Sequence, residues 1–359
     1  MNQTLADAIN CTASTSNTVD DSVKRFQLIV NPPTFIFGLV LNGIALWYLC
    51  FKFKKWTEST IYMTNLIVSD MLLLFSLPFK IYAYQTEEWF LGPAFCSFLE
   101  SLYYVNTYAS ILLITFICMD RYIAIKHPFL ARTFRSPKKT VIACAGVWIA
   151  VWSCSIGIYS KRNSKICFFN HSKSVWSVSN IAPVQIVFLL TALTMIFCSL
   201  QIIRTLQRSG AMKPENRSSS KSVKIVLSNL LTFLVCFTPT HVATLLYFSA
   251  RKCWISQSYL VPLRNFLQIC LCVANVNCVL DAIYYYLVIK EFWKSNESHR
   301  PKWRKSIQEG AEHLMSRCQE RAENKRSWIL CGYLKLPHNI TPEISEISFF
   351  KHLADYLTV

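Results

Sequence analysis

Two aspartates and a lysine stand inside apolar stretches, where an ionisable side chain is costly and therefore a candidate for chemistry. Asp70 precedes Met-Leu-Leu-Leu-Phe, Asp281 follows Cys-Val-Leu, and Lys80 follows Ser-Leu-Pro-Phe. Asn277, Asp281 and Tyr285 recur every four residues and so share one helix face. With Ser110, the two carboxylates and Asn277 make an oxygen-rich set suited to a hard cation such as sodium. A water-bridged cluster without an ion fits the same spacing, and so does a proton relay in a carrier.

Lys80 stands ten residues from Asp70, about 15 Å along a helix. Its butyl stem could snorkel to the headgroups. Alternatively it anchors an anion in an outward-facing pocket, joined by Arg251, Arg264 and Arg25. Tyr103, Tyr104, Phe237, His241 and Tyr247 would wall that pocket, although rings at helical spacing also serve ordinary packing. At the far end of the longest apolar run comes Asp120-Arg121-Tyr122, followed by the helix-stopping His127 and Pro128. An adjacent Asp and Arg usually form a solvated pair of little weight. From Cys96 to Arg121 is 25 residues, about 37 Å of helix, one membrane crossing. That places the pair at a membrane mouth.

The elements that position these residues follow from composition. The chain has 359 residues, 53% hydrophobic and only 16% charged, with a mean hydropathy of +0.30. A set of soluble domains would carry about a quarter charged residues. Stretches of about 20 apolar residues, enough to cross a bilayer, occur near 26–51, 59–84, 96–125, 139–159, 178–203, 223–249 and 259–289. The expected fold is all-α, a bundle of seven transmembrane helices. Net charge is +17, but so much apolar surface is unnecessary in a nucleic-acid binder. No GxSxG, HExxH, P-loop or dinucleotide fingerprint occurs, so no enzyme is expected. Only eight glycines are present, which weighs against the broken helices of carriers. Residues 1–25 are polar and show no cleavable signal peptide.

Basic residues resist crossing the membrane and therefore orient the bundle. The first, third and fifth connections hold fifteen Lys and Arg, the others seven. The odd connections are thus expected to be cytoplasmic, with the amino terminus outside. Four cysteines beyond the spans, Cys11, Cys96, Cys167 and Cys253, then share the oxidising side, and four allow three pairings. Glycosylation triplets at Asn2, Asn10 and Asn170 lie there too, although similar ones at Asn216, Asn296 and Asn339 fall inside.

Taken together, the residues resemble the rhodopsin-like (class A) G-protein-coupled receptors over about residues 25–297. The resemblance rests on the order of Gly38 and Asn42, Leu66 and Asp70, Trp89 and Cys96, and Asp120-Arg121-Tyr122. Trp148, Cys167, the run Cys236-Phe237-Thr238-Pro239-Thr240-His241, and Asp281 with Tyr285 complete it. No lysine marks an opsin at Asn275, and no aspartate marks an amine receptor at Tyr103. The Cys-Phe-x-Pro-x-His run, Asp281, and Cys11 with Cys253 resemble the purinoceptor-like branch of nucleotide, lysophospholipid and protease-activated receptors. Ser59 to Lys80 and Asn275 to Phe292 look most like its lysophosphatidylinositol-responsive members.

The resemblance implies roles residue by residue. Cys96 would pair with Cys167, and Cys11 with Cys253. Asp70, Ser110, Asn277 and Asp281 would form a sodium pocket, with no other cofactor. Lys80 and Arg251 would meet an anionic lysolipid headgroup near Glu100, Tyr103, Tyr104, His241, Arg264 and Gln268. Arg121 would engage a heterotrimeric G protein of the twelve/thirteen class or Gq. Phe237 and Pro239 would form the pivot with Phe233 beneath them, Tyr285 would turn inward on activation, and Phe129 would insert into the G protein. The expected organisation is an extracellular, glycosylated amino terminus (1–25), the seven-helix domain (26–289), a short amphipathic eighth helix at the membrane surface (290–297) anchored by Phe292, and a cytoplasmic regulatory tail (298–359). Arrestin and receptor kinases would act at that tail, where Cys318 and Cys331 could be acylated. The place expected is the plasma membrane. A nucleotide, another lysophospholipid or a peptide are the alternative ligands, and an ion- or proton-coupled transporter using Asp70 and Asp281 is the competing class.

Overall fold

A computed structural model describes residues 20–52, 56–86, 89–159, 167–168, 175–208, 226–283 and 285. Among them the regular structure is entirely helical. Seven helices are long and apolar enough to cross a membrane: span one (Asp21–Phe51), two (Glu58–Thr86), three (Pro93–Lys126), four (Pro137–Tyr159), five (Val178–Arg208), six (Val226–Arg251) and seven (Gln257–Ile283). Each coincides with an expected stretch. The chain divides into two compact units, Met1–Lys290 and Glu291–Val359. The second unit, with the expected eighth helix, tail, Phe292, Cys318 and Cys331, lies outside the described residues. So do Cys11, Asn2, Asn10 and Asn170.

Span three runs through the middle, packed against spans two, four, five and six. Its central side chains Leu99, Leu102, Val105, Ala109, Leu113 and Ile114 are wholly buried. The lipid-facing sides instead expose large apolar residues, among them Phe37, Ile149, Leu190, Leu193 and Leu231. This is the pattern required where the solvent is hydrocarbon and each helix satisfies its own backbone.

Punctuation in the sequence explains where helices start. Pro93 and Pro137 each open a span, where a missing N–H costs nothing. Gly92, just before Pro93, has φ of 81°, a conformation that suits glycine. Its carbonyl accepts a 2.8 Å bond from the Trp89 indole. After span three, the stop at His127 is followed by a seven-residue helix, Pro128–Phe134, which carries Phe129 at 83% exposure.

Polar groups join the helices from within. Asn42 of span one donates at 3.0 Å to both the Gly38 and the Cys278 carbonyl oxygens. Trp148 of span four donates to Asn65 of span two at 2.8 Å. Thr191, in span five, turns its hydroxyl onto the Phe188 carbonyl at 2.8 Å, and the helix runs on unbroken.

Span six departs from the expected regular helix. Phe233–Phe237 forms a π turn, and Thr238–Arg251 then resumes α-helix with Pro239 in its first turn. A π turn accommodates one residue more than the α register. Phe233 and His241 are eight apart, which in a regular α-helix would set them about 80° apart. With one surplus residue they behave as if seven apart, about 20° from alignment. One ring, Phe188 of span five, accordingly stacks on both, with centroids 3.8 Å from His241 and 5.2 Å from Phe233.

Candidate functional site

A cavity of about 150 Å³ lies toward the Cys96 end of the bundle. Pro78 lies within the continuous helix of span two, two residues before Lys80, whose side chain is turned into the cavity wall at only 5% exposure. The ammonium lies 4.7 Å from the Tyr103 ring centroid and 5.8 Å from that of Tyr84. Among the described residues, no carboxylate lies within ion-pair distance of it. Two ring faces attract a cation but supply no acceptor oxygen.

Tyr103, Tyr104, Glu100, His241 and Gln268, all named from sequence, line the same cavity. Tyr108, Tyr159 and Phe168 add walls that sequence reasoning did not assign. Glu100 has a structural duty as well, since its Oε1 accepts the Phe168 backbone N–H at 2.8 Å. Phe168 directly follows Cys167, which is disulfide-bonded to Cys96 with Cα atoms 5.6 Å apart. The disulfide and Glu100 therefore hold one short piece of connection over the cavity. Cys253 is also disulfide-bonded; its expected partner Cys11 is not described.

Arg251 and Arg264, named from sequence with these residues, do not line this cavity. Arg251 ends span six, with its guanidinium carbon 5.9 Å from the Trp176 ring and 5.8 Å from Tyr247, whose hydroxyl accepts at 3.4 Å. Aromatic neighbours at the helix end have taken it. Arg264 is half-buried in span seven, and Arg25 is exposed on span one.

Deeper in the bundle, Asp70, Ser110, Asn277 and Asp281 are all buried, none above 3% exposure. The two carboxylates lie close enough to interact electrostatically. Asp70 Oδ2, Ser110 Oγ, both amide atoms of Asn277 and Asp281 Oδ2 have no hydrogen-bond partner. So many unsatisfied oxygens beside paired carboxylates fit a cation held among them. Asn106 was missed in the sequence, yet it donates to Asp70 Oδ1 at 3.2 Å and to Ser69 Oγ at 3.3 Å. It stands four residues before Ser110, a spacing that could have revealed it.

At the opposite end, Asp120 and Arg121 are joined at 2.9 Å, and Arg121 also donates to Ser59. Arg135, from the turn after the Pro128–Phe134 helix, adds bonds to both Asp120 oxygens and to Glu58. Tyr122 packs on His127, its hydroxyl 3.4 Å from Nε2. Phe233 and Phe237 are buried at the π turn, centroids 6.1 Å apart. Tyr285 is buried, at 1% exposure.

A seven-helix bundle with a disulfide-tethered cavity at one end and a clamped Asp-Arg pair at the other defines a membrane receptor class. The family model of the 7 transmembrane receptor (rhodopsin family) matches residues 41–285, and the chain belongs to that family. It is similar to G-protein coupled receptor 55 of Homo sapiens, 37% identical over 79% of this chain and 91% of that protein. Lysophosphatidic acid receptor 4 of Homo sapiens is 34% identical over 80% of each chain. G-protein coupled receptor 35 of Mus musculus is 32% identical over 80% of this chain and 92% of its own. The chain is therefore a multi-pass membrane receptor rather than an enzyme or a carrier.

Proposed function

We propose that this receptor sits in the plasma membrane with its amino terminus outside and responds to an anionic lysolipid, lysophosphatidylinositol first among them. The observation that carries the reading is the buried Lys80 ammonium, walled by Tyr84 and Tyr103 at a cavity. A buried charge without a counter-charge is costly, and a phosphate would supply both charge and acceptors. The name of the similar lysophosphatidic acid receptor 4 points to the same ligand class for that protein. The acyl chain would lie along the aromatic part of the bundle.

Binding would act by population shift. The state in which Arg121 is held by Asp120 and Ser59 would give way to one in which it meets a G protein of the twelve/thirteen class or Gq, with Phe129 inserting alongside. Asp70, Ser110, Asn277 and Asp281 would hold a sodium ion, whose charge would offset the two carboxylates in the resting state. Arrestin and receptor kinases would act on the tail.

The test is lysophosphatidylinositol-driven nucleotide exchange on added G protein in membranes carrying Lys80→Ala. Loss of a charge-assisted contact should lower potency roughly ten- to hundredfold, with surface expression retained and partial recovery in Lys80→Arg. Unchanged potency in Lys80→Ala would overturn the anchor.

A further inference from the structure

Gln185 of span five makes two contacts to a single residue of span six. Its amide nitrogen donates to the His241 carbonyl oxygen at 3.4 Å, and its Oε1 lies 3.2 Å from His241 Nδ1. A backbone carbonyl can only accept, so the amide nitrogen must face it and the amide oxygen must face Nδ1. An amide oxygen also only accepts, so Nδ1 carries the hydrogen. The neutral imidazole then has its lone pair on Nε2, which is buried and has no hydrogen-bond partner. Among the described residues, no acidic side chain bonds or pairs with this ring. Phe188 stacked at 3.8 Å and Tyr108 edge-on at 5.8 Å hold its plane.

His241 lines the same cavity as Lys80. The wall thus offers one cation and one fixed acceptor, a pairing that discriminates among anions. A phosphate oxygen gains at Lys80 but is repelled by a lone pair at Nε2, which only a donor satisfies. We infer that Gln185 sets His241 as an acceptor, and that the pair selects, among the anions drawn to Lys80, phosphodiesters whose headgroup carries a hydroxyl. Gln185 is a positioning residue, since it does not line the cavity. The inference rests on the reading of Lys80 as the anion anchor.

Two lipids of one acyl chain and one phosphodiester charge separate the contributions: lysophosphatidylinositol, rich in headgroup hydroxyls, and lysophosphatidylmethanol, with none. In the unmutated receptor the inositol lipid should be about tenfold more potent, the effect of one hydrogen bond to a buried acceptor. In His241→Phe, which keeps the stacked ring, and in Gln185→Leu, which frees the tautomer, the potency ratio should fall toward one. A ratio that stays at tenfold in both variants, or that is near one without mutation, overturns the inference while leaving the anchor standing. Failure of Lys80→Ala to weaken either lipid overturns the anchor instead. A ligand-free measurement tests the tautomer itself. Nitrogen-15 shifts of histidine-labelled receptor, assigned by loss of the signal in His241→Phe, should report Nδ1–H, and a hydrogen on Nε2 overturns the role of Gln185.

Discussion

Arg135 closes on Asp120 from a separate stretch of chain, with Nε 2.6 Å from Oδ1 and Nη2 3.2 Å from Oδ2. Asp120 is thereby held by two guanidinium groups, since Arg121 occupies Oδ2 at 2.9 Å. Glu58, at 3.3 Å from Arg135 Nη2, ties the same arginine to the start of span two. One turn between spans three and four is thus fastened to spans two and three.

Arg135→Ala should therefore loosen the resting arrangement and raise ligand-independent nucleotide exchange. A partly exposed ion-pair network of this kind is worth about 1 kcal/mol, or about a fivefold shift in population. Exchange on added G protein in membranes, normalised to receptor number, reads the change. Unaltered basal exchange would show that the clamp does not hold the resting state.

The same clamp should be indifferent to pH. Burial opposes the charge on Arg135, but the Asp120 hydrogen bond and charge, with Glu58 and Tyr62 behind them, outweigh it and raise its pKa. A raised folded-state pKa stabilises below the unfolded value and is lost only as pH rises through the folded one, far above the physiological range. Basal exchange from pH 6 to 8 should keep the same profile in Arg135→Lys, and an altered profile would count against this account.

Sodium should lower agonist affinity in the unmutated receptor if the oxygen cluster takes the ion in the resting state. Asp70→Asn and Asp281→Asn each remove one charge from it. Agonist competition binding in sodium chloride against choline chloride should show a several-fold difference that disappears in either variant. Affinity indifferent to sodium without mutation would remove the ion from the scheme.

Glu100→Ala should shorten ligand residence. It takes the acceptor from the Phe168 N–H, a buried bond to a charged group worth about 1.5–3 kcal/mol. Washout of a labelled lysolipid should be roughly tenfold faster or more, whereas Glu100→Gln, whose amide oxygen still accepts, should lie between. Equal washout rates in all three would mean that the bond does not close the cavity.

Gly38→Ala should destabilise the fold. A Cβ there would meet Leu74 Cδ2 at 2.7 Å and Cys278 Sγ at 3.2 Å. Leu74 and Cys278 are buried in one cluster with Leu73 and Leu77, so the overpacking should cost about 1–3 kcal/mol. Thermal unfolding in detergent should fall by several degrees, and the additional change Leu74→Ala should restore part of it.

Much of this was legible from spacing. Hydrophobic run length placed all seven helices, because a bilayer fixes how long an apolar segment must be. Asp70, Ser110, Asn277 and Asp281 were recognisable because charge and amide in hydrocarbon demand partners, and the spans holding them are regular enough for four-residue spacing to report a shared face. Arg251 shows where such reading stops. Its charge and its place at a helix end are visible in sequence, but not the direction in which Trp176 and Tyr247 draw it. Arg135 was invisible for another reason: its bond to Asp120 depends on a chain reversal through a short helix, which no periodicity reports. Gln185 and Phe188 were missed because both meet His241 on the far side of an irregular turn.

The surplus residue in that turn also governs how this span can be exchanged with others. The π turn at Phe233–Phe237 displaces the register of everything that follows it in the span. A relative whose sixth span stays regular there would match this chain letter for letter and still present a different face beyond Cys236, turned by about 100°, the rotation of one residue. Chimeras spliced above Thr238 would then carry side chains pointing to lipid where this chain points them inward. Splicing below Phe233, so that the whole turn travels with the graft, keeps the faces matched.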